Sequence, residues 1–365
     1  MPDPTIATTE TPLVSSLRRH PFVINPHIRM CAVITAVLHG WGSKGERILR
    51  NAYRDLGHKT GQYMIATGIV AKGADLETYG RVSEQIMDVC GLDGWTRLDT
   101  ASTEHRTVVP NCAKYTQQYQ AMNAPKHLCA IPFEWDNGCL DAINPSLRIL
   151  PEMCRYVGDM ECHYVIRDDQ AYGTTTDSSA DASVSITPIT RVDQAPAWTN
   201  PQAGLLAITA RALEHLTPNP YGALIDAMQK LGKQTGAYLL ESGLVPANAG
   251  PSDLAKTAAA IGHLSGYPNI SIEQMGRGTR LKAPVNPYRP VVEAFGHAAD
   301  VSAITQQWEV SWISAVNPAS KVSVEKDGLV SSGGDQRLFT TAHSAQIKQS
   351  TTSQAHSFVS NTTSS

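Results

Sequence analysis

The chain has 365 residues, of which 42% are hydrophobic, so it is long enough for two domains that each bury a core. Its formal net charge of −3 argues against a nucleic-acid partner held through phosphates. It contains no run of roughly 18 apolar residues that could cross a membrane, and its polar first residues do not resemble a secretory signal. The seven cysteines lack the spacing of a disulfide framework, which is typical of reduced thiols in a cytoplasmic protein.

Composition divides the chain into five segments. We expect a disordered leader over residues 1–19, a first α+β unit over 20–166 and a linker rich in Ser, Thr and Asp over 167–200. A second unit is expected over 201–327, followed by a disordered tail over 328–365. The leader and the tail lack apolar periodicity, so we expect both to be dispensable for stability.

An internal repeat connects the two units. Residues 56–70 (LGHKTGQYMIATGIV) and 231–245 (LGKQTGAYLLESGLV) are identical at seven of fifteen positions, at an offset of 175. Further along, at an offset of 173, Trp135 matches Trp308 and Asn144-Pro145 matches Asn317-Pro318. The pattern predicts two diverged copies of one helix–helix–strand unit rather than a solenoid of short repeats. We expect the copies to pack as an intramolecular pseudo-dimer.

Each copy is expected to open with an amphipathic helix. Apolar and aromatic residues recur at helical spacing over 49–64 in the first copy and over 224–239 in the second. Gly68 and Gly243 follow, at the position where a left-handed residue commonly ends a helix.

A second helix and a short strand are expected next in each copy. The predicted spans are helices over 75–90 and 252–265 and strands over 94–98 and 269–274. Gly57 and Gly61, inside the first helix, are expected to allow another helix to approach closely.

The two copies differ at a cysteine. Asn111 is a good N-cap residue, which places Cys112 in the first turn of a helix. The helix dipole and the nearby Lys114 are expected to lower the pKa of this thiol. The second copy has Asn286-Pro287 at the same place, so the thiol is particular to the first copy. A buried, inert cysteine is the alternative interpretation.

Further cysteines and histidines follow in the first copy. Period two places Cys162 and Tyr164 on one face of a strand, and His163 and Arg167 on the other. The cysteines and histidines of this copy could in principle ligate a metal. No C-x-x-C pair occurs, however, and no metal is predicted.

These motifs resemble the L-2-amino-thiazoline-4-carboxylic acid hydrolase family. The resemblance rests on Cys112 opening a helix, Cys129 about seventeen residues later, Asn144-Pro145, and Gly158-Asp159-x-x-Cys162 before a strand. The preceding LG-x-x-x-G helix also fits the family. The resemblance covers residues 46–167, with a weaker match over 221–327.

The resemblance implies a cytoplasmic hydrolase that opens a small sulfur–nitrogen heterocycle. The chain differs from the family at Pro132. This residue stands three positions after the second cysteine, Cys129, where the family has an acidic residue. Because that acid is missing, the nearest residues that could take its role are Glu134 and Asp136.

Opening a cyclic amidine requires attack at a polarised carbon, either by a thiolate or by water that a carboxylate activates. The candidate nucleophile is Cys112, and the candidate bases or proton shuttles are Asp159 and Asp136. The residues expected to line the substrate pocket are Cys129, Cys162, His163 and Trp135. No cofactor is predicted. Two alternatives stay open: a non-hydrolytic cyclase or isomerase of secondary metabolism, and a non-catalytic protein that binds a small molecule.

Overall fold

The structure is a computed structural model. It describes residues 26–89, 95–98, 103–109, 116, 119–169, 209, 213–214, 216–217, 219–264, 267, 269–276, 278–283, 298–324 and 335–341. We call residues 26–169 the first unit and residues 209–341 the second unit. The leader 1–19, most of the linker, and Cys112 with its predicted cap Asn111 lie outside the described residues.

The first unit combines helices with one antiparallel sheet. In chain order its elements are α1 (Pro26–Ala66), α2 (Leu76–Val89), β1 (Thr96–Leu98), β2 (Glu104–Val108), α3 (Phe133–Ile143), β3 (Leu147–Met153) and β4 (His163–Asp168). Short 3-10 helices, Leu128–Ala130 and Arg155–Val157, precede α3 and β4. The strand order is β1-β2-β4-β3.

The second unit repeats this arrangement of elements. In chain order they are α4 (Pro220–Glu241), α5 (Pro251–Leu264), β5 (Ser271–Met275), β6 (Gly278–Ala283), α6 (Ala298–Val316), β7 (Ser320–Val324) and β8 (Asp335–Thr341). Its strand order, β5-β6-β8-β7, is that of the first sheet, and all its strand pairs are antiparallel. The predicted α+β class is confirmed.

The helices and strands predicted from the repeat are present, with two differences at α1. Gly68 and Gly243 adopt the expected left-handed conformation, with φ of 74° and 67°, just after α1 and α4. However, α1 begins at Pro26, long before residue 49. It is interrupted at Gly42, where φ is 51° and ψ is −137°, a conformation that side chains strongly disfavour.

The turn after the third helix is held by the same bond in both units. The Asn144 side-chain nitrogen donates to the carbonyl oxygen of Ala74 at 3.0 Å. The Asn317 side chain donates to the carbonyl oxygen of Ala249 at 3.0 Å. Asn317 stands 173 positions after Asn144, and Ala249 stands 175 positions after Ala74, which are the two offsets of the sequence repeat. The Asn-Pro match therefore corresponds to a shared structural role.

Close packing of the first and third helices depends on glycine, as predicted. A Cβ added to Gly57 would collide with the carbonyl oxygen of Trp135, and one added to Gly138 would collide with the Arg54 carbonyl. In the second unit, a Cβ added to Gly232 would collide in the same way with the carbonyl oxygen of Trp308. Glycine therefore lets the helix backbones touch, and any side chain there would force them apart.

The prediction of a disordered tail is wrong for residues 335–341. They form β8, which lies between β6 and β7 and hydrogen-bonds to both. The physical reason is that β6 and β7 are not neighbours, so the polar backbone groups along their inner edges need a strand between them. The predicted boundary at 166 is also too early, because β4 continues to Asp168.

The two units contact each other through their first helices. Helix α1 packs against α4, and the Arg29 guanidinium lies 4.8 Å from the centre of the Trp308 ring. Buried apolar residues from both units form one continuous cluster. In the part of the chain that the structure describes, no helix has the length and apolar character needed to cross a membrane.

Candidate functional site

Thiols of the first unit converge beside the start of β4. Cys129 lies in the 3-10 helix Leu128–Ala130, Cys154 follows β3, and Cys162 immediately precedes β4. The Cys154 thiol hydrogen-bonds with the thiols of both Cys129 and Cys162. None of the three cysteines is joined in a disulfide, and all are only partly buried. Residues far apart in sequence therefore place three sulfur atoms in one accessible cluster, which we call the thiol cluster.

The loop from Cys154 to Cys162 is fixed by its own polar contacts. The Cys154 N–H donates to the Asp159 carboxylate at 2.6 Å, and the Asp159 N–H donates back to the Cys154 carbonyl oxygen at 3.3 Å. The Arg155 N–H donates to the Cys162 sulfur at 3.3 Å. Gly158, with a φ of 120°, provides the turn between them. Asp159 thus shapes the loop that presents two of the three thiols.

The hydrogen bonds within the thiol cluster favour a thiolate at Cys154. The bond with Cys129 lowers the pKa of Cys154 most, and the bond with Cys162 lowers it further, against the opposing effect of partial burial. The nearby N–H groups of Tyr156 and Val157 act in the same direction, although neither completes a capping bond. Because donors stabilise the charged form, the pKa of Cys154 lies well below its usual range.

A second group of polar side chains lies between the helices and the sheet of the first unit. Asp136, in the first turn of α3, is near Tyr79 on α2 and Tyr164 on β4. Burial raises the pKa of its carboxyl from 3.8 to about 7, partly offset by a hydrogen bond from its own backbone N–H. A carboxyl with this pKa can both release and accept a proton near neutral pH.

Two tyrosine hydroxyls lie near this carboxyl and stay protonated. Burial raises the pKa of both Tyr79 and Tyr164. The Tyr164 hydroxyl donates to the Met87 sulfur at 2.9 Å and lies next to the hydroxyls of Thr107 and Ser83. The fully buried Tyr79 hydroxyl has no hydrogen-bond partner among the described residues. The Tyr79 hydroxyl can therefore act as a neutral donor toward a molecule beside Asp136.

A histidine beside a buried glutamate lies close to Tyr164. The buried Glu84 carboxylate accepts hydrogen bonds from Arg97 at 2.8 Å and 2.6 Å, and His105 Nε2 lies 3.2 Å from it. Burial alone would raise the pKa of Glu84, but hydrogen bonds from His105 and Arg97 outweigh it and bring the pKa below its usual value. The His105 ring is seated on Gly80, where a Cβ would meet its Nδ1 at 2.5 Å.

The second unit does not keep this polar interior. Strand register shows which residues of the two sheets correspond. Arg97 pairs with Thr107 in the first unit, and Ile272, which stands 175 positions after Arg97, pairs with Leu281 in the second, so Leu281 corresponds to Thr107. The matching pairs, first unit before second, are Tyr79 and Leu254, Ser83 and Ala258, Glu84 and Ala259, His105 and Thr279, Thr107 and Leu281, and Asp136 and Glu309. The second unit has an acid, Glu309, at the position of Asp136, but most of the positions that match its polar neighbours hold leucine or alanine. The same arrangement of elements therefore forms without the tyrosine, glutamate and histidine of the first unit.

We expect the half-buried Asp136 carboxyl to make stability fall as pH rises. Its folded pKa of about 7 exceeds the starting value of 3.8, so folding takes up a proton between these pH values. The free energy of unfolding should be highest below pH of about 4 and decline toward pH of about 7. Urea titrations across this range should show a shallower decline in Asp136→Asn. Equal slopes in both proteins would contradict the assignment.

The structure brings together part of the predicted site. Cys129, Cys162 and Asp159 converge around Cys154. Asp136 belongs to the polar interior instead. The predicted nucleophile Cys112 lies outside the described residues.

Two predicted pocket residues have other surroundings. The His163 ring lies 2.9 Å from the Glu161 carboxylate. Trp135 is 3% exposed and packs in the contact between α1 and α3, so the structure places it in the core. The predicted alternation along β4 is confirmed, since Tyr164 packs in the core while Arg167 pairs with Glu104 on the other face.

Glu134 is the other acid close to the position that Pro132 occupies. Its carboxylate pairs with Arg50 at 3.0 Å and with Arg54 at 3.3 Å, across the contact between α1 and α3. These pairs link the two helices, so Asp136 is the better candidate for proton transfer.

The sequence did not identify Cys154, Tyr79 or Tyr164 as site residues. Cys154 stands eight residues before Cys162, a spacing with no recognised chemical meaning, and only the loop geometry brings them together. The repeat contained a usable signal for Tyr79, because Leu254 stands at the same offset in the second unit.

Comparisons with known proteins gave no significant match to a family model, to a curated protein or to a solved structure.

Proposed function

We propose that this chain is an internally duplicated protein whose units form an intramolecular pseudo-dimer, and that its first unit is a cytoplasmic small-molecule hydrolase. The shared strand order, the matched Asn144 and Asn317 bonds and the contact between α1 and α4 support the duplication. The substrate class is a cyclic amidine or a similar small heterocycle with a cleavable C–N bond, as the family resemblance suggests.

The observation that carries the proposal is the position of Asp136, a half-buried carboxyl in the first turn of α3 that lies near Tyr79 and Tyr164. Its pKa of about 7 suits a general base or acid at neutral pH, and it lies near protonated tyrosines. Buried polar groups are costly to a fold, and the second unit forms with leucine and alanine at most of the matching positions. The presence of buried polar side chains at these positions in the first unit therefore favours a chemical role.

In the proposed reaction, the ionised Asp136 carboxylate takes a proton from water as the water oxygen bonds to the amidine carbon. The electron pair of the C=N bond moves to the nitrogen, which takes this proton from Asp136. The hydroxyl of the tetrahedral intermediate then gives its proton to Asp136 and becomes a carbonyl as the C–N bond breaks, and Asp136 passes that proton to the departing nitrogen. The Tyr79 hydroxyl donates a hydrogen bond that polarises the ring, which needs no change in its own protonation. Direct attack by the Cys112 thiolate is the competing route, with Asp136 serving only as the proton donor.

Hydrolysis of a 2-amino-thiazoline-4-carboxylate by the purified chain tests the proposal. Turnover should rise with pH through about 7, because the base must be ionised. Asp136→Asn should reduce turnover by at least ~100-fold, the usual contribution of a general base. The matched change Glu309→Gln in the second unit should leave turnover unchanged. Equal loss in both variants, or full activity of Asp136→Asn, would contradict the role of Asp136.

Cys112→Ser separates the two routes. If water attacks directly, the variant should keep most of its turnover; if Cys112 is the nucleophile, turnover should be lost with little change in stability. The same assay in water labelled with oxygen-18 addresses the cyclase or isomerase alternative. A product without the label would establish that alternative. Ligand binding without any product would identify a non-catalytic binding protein.

A further inference from the structure

The thiol cluster contains more reducing capacity than hydrolysis requires. A nucleophilic hydrolase needs one sulfur, and the Asp136 route needs none. Here Cys154 hydrogen-bonds with two other thiols, and the Cys162 sulfur is held by the Arg155 N–H at 3.3 Å. Each pair of neighbouring thiols can supply two electrons by forming a disulfide.

Cys154 is distinguished from the other described cysteines by its surroundings. The Cys31 and Cys139 sulfurs belong to fully buried residues, and burial raises the pKa of Cys139. The residues of the thiol cluster are all partly exposed, so a small oxidant can reach them. Reaction with an oxidant is favoured by thiolate character together with access.

We propose that Cys129, Cys154 and Cys162 form a site that reduces hydroperoxides, with Cys154 as the attacking sulfur and either neighbouring thiol as the resolving group. This activity is independent of the proposed hydrolase function. The loop contacts of Asp159 hold Cys154 in position for both neighbours.

The first step transfers one oxygen atom. The Cys154 thiolate attacks the terminal peroxide oxygen, the O–O bond breaks, and the departing alkoxide or hydroxide takes a proton to leave as alcohol or water. Sulfur is oxidised by two electrons to a sulfenic acid, and the peroxide is reduced by two.

The second step forms a disulfide. The sulfur of Cys129 or Cys162 attacks the Cys154 sulfur, the S–O bond breaks, and the hydroxide leaves as water with the proton of the attacking thiol. An external dithiol then reduces the disulfide by exchange. The third thiol stays beside the new bond, where it can itself attack and move the disulfide within the cluster.

The test uses the reduced full-length chain and hydrogen peroxide at equimolar concentration, followed by alkylation and peptide mapping. We expect a disulfide from Cys154 to Cys129 or Cys162, formed at least ~10-fold faster than any oxidation of Cys31 or Cys139. Cys154→Ser should lose this reaction and also the consumption of peroxide in the presence of a dithiol. Its circular dichroism spectrum should match that of the parent chain.

A double variant, Cys129→Ser with Cys162→Ser, tests the resolving step. It should stop at the sulfenic acid of Cys154, which dimedone traps, whereas each single variant should still form a disulfide. Asp136→Asn should leave the peroxide reaction unchanged, so failure of the hydrolase proposal does not affect this one.

Three results would overturn the proposal. The first is oxidation of Cys154 no faster than that of Cys139. The second is a disulfide that joins Cys154 only to Cys112. The third is a stoichiometric metal ion in the purified chain that protects the three thiols from alkylation.

Discussion

Deleting residues 335–365 is expected to unfold the second unit, whereas deleting only 342–365 should leave the melting temperature nearly unchanged. The difference between the two truncations is β8, which pairs with β6 from Gly278 to Ala283 and with β7 from Ser320 to Val324. Without it β7 loses its place in the sheet, and the remaining pair β5–β6 is too small to be stable by itself.

For the longer deletion, the melting temperature should fall by more than about 10 °C. Each kcal/mol of unfolding free energy that is lost lowers the melting temperature by roughly 2–4 °C in a domain of this size. Differential scanning calorimetry of both truncations and the full chain measures it. A separate early transition should appear if the second unit unfolds first. Identical melting of the two truncations would show that β8 contributes nothing to the sheet.

Gly57→Ala is expected to destabilise the first unit by about 3 kcal/mol, the upper part of the range for overpacked cores. Its Cβ would overlap the carbonyl oxygen of Trp135, and a backbone atom cannot rotate away as a side chain can. Helices α1 and α3 must therefore separate along their contact. That contact includes Gly61, whose Cβ would meet the Cys139 carbonyl oxygen at 2.6 Å.

Gly40→Ala is the matched control on the same helix. A Cβ there meets nothing within 4 Å, so the change should be neutral or stabilise by about 0.5–1 kcal/mol through helix propensity. Urea denaturation gives both values. Equal stability of the two variants would contradict the close approach of α1 and α3. Gly232→Ala should repeat the Gly57→Ala effect in the second unit, where Trp308 takes the place of Trp135.

The sequence by itself determined the local elements and their repetition. Helical periodicity followed by Gly68 or Gly243 predicted where α1 and α4 end, because a left-handed residue can be recognised locally. Period two placed Tyr164 and Arg167 on opposite faces of β4. The matched offsets also anticipated the shared Asn144 and Asn317 turns.

The tertiary structure alone decided which chemical groups meet. Cys154 meets Cys129 through a loop, and Tyr79 on α2 lies near Asp136 on α3, so no sequence spacing encodes either approach. Strand β8 was missed because a short segment in a polar tail becomes a strand only when β6 and β7 offer their edges. Sequence periodicity reports the face of an element, whereas long-range pairing and burial, which shift the pKa of Asp136 and Cys154, depend on how the elements pack.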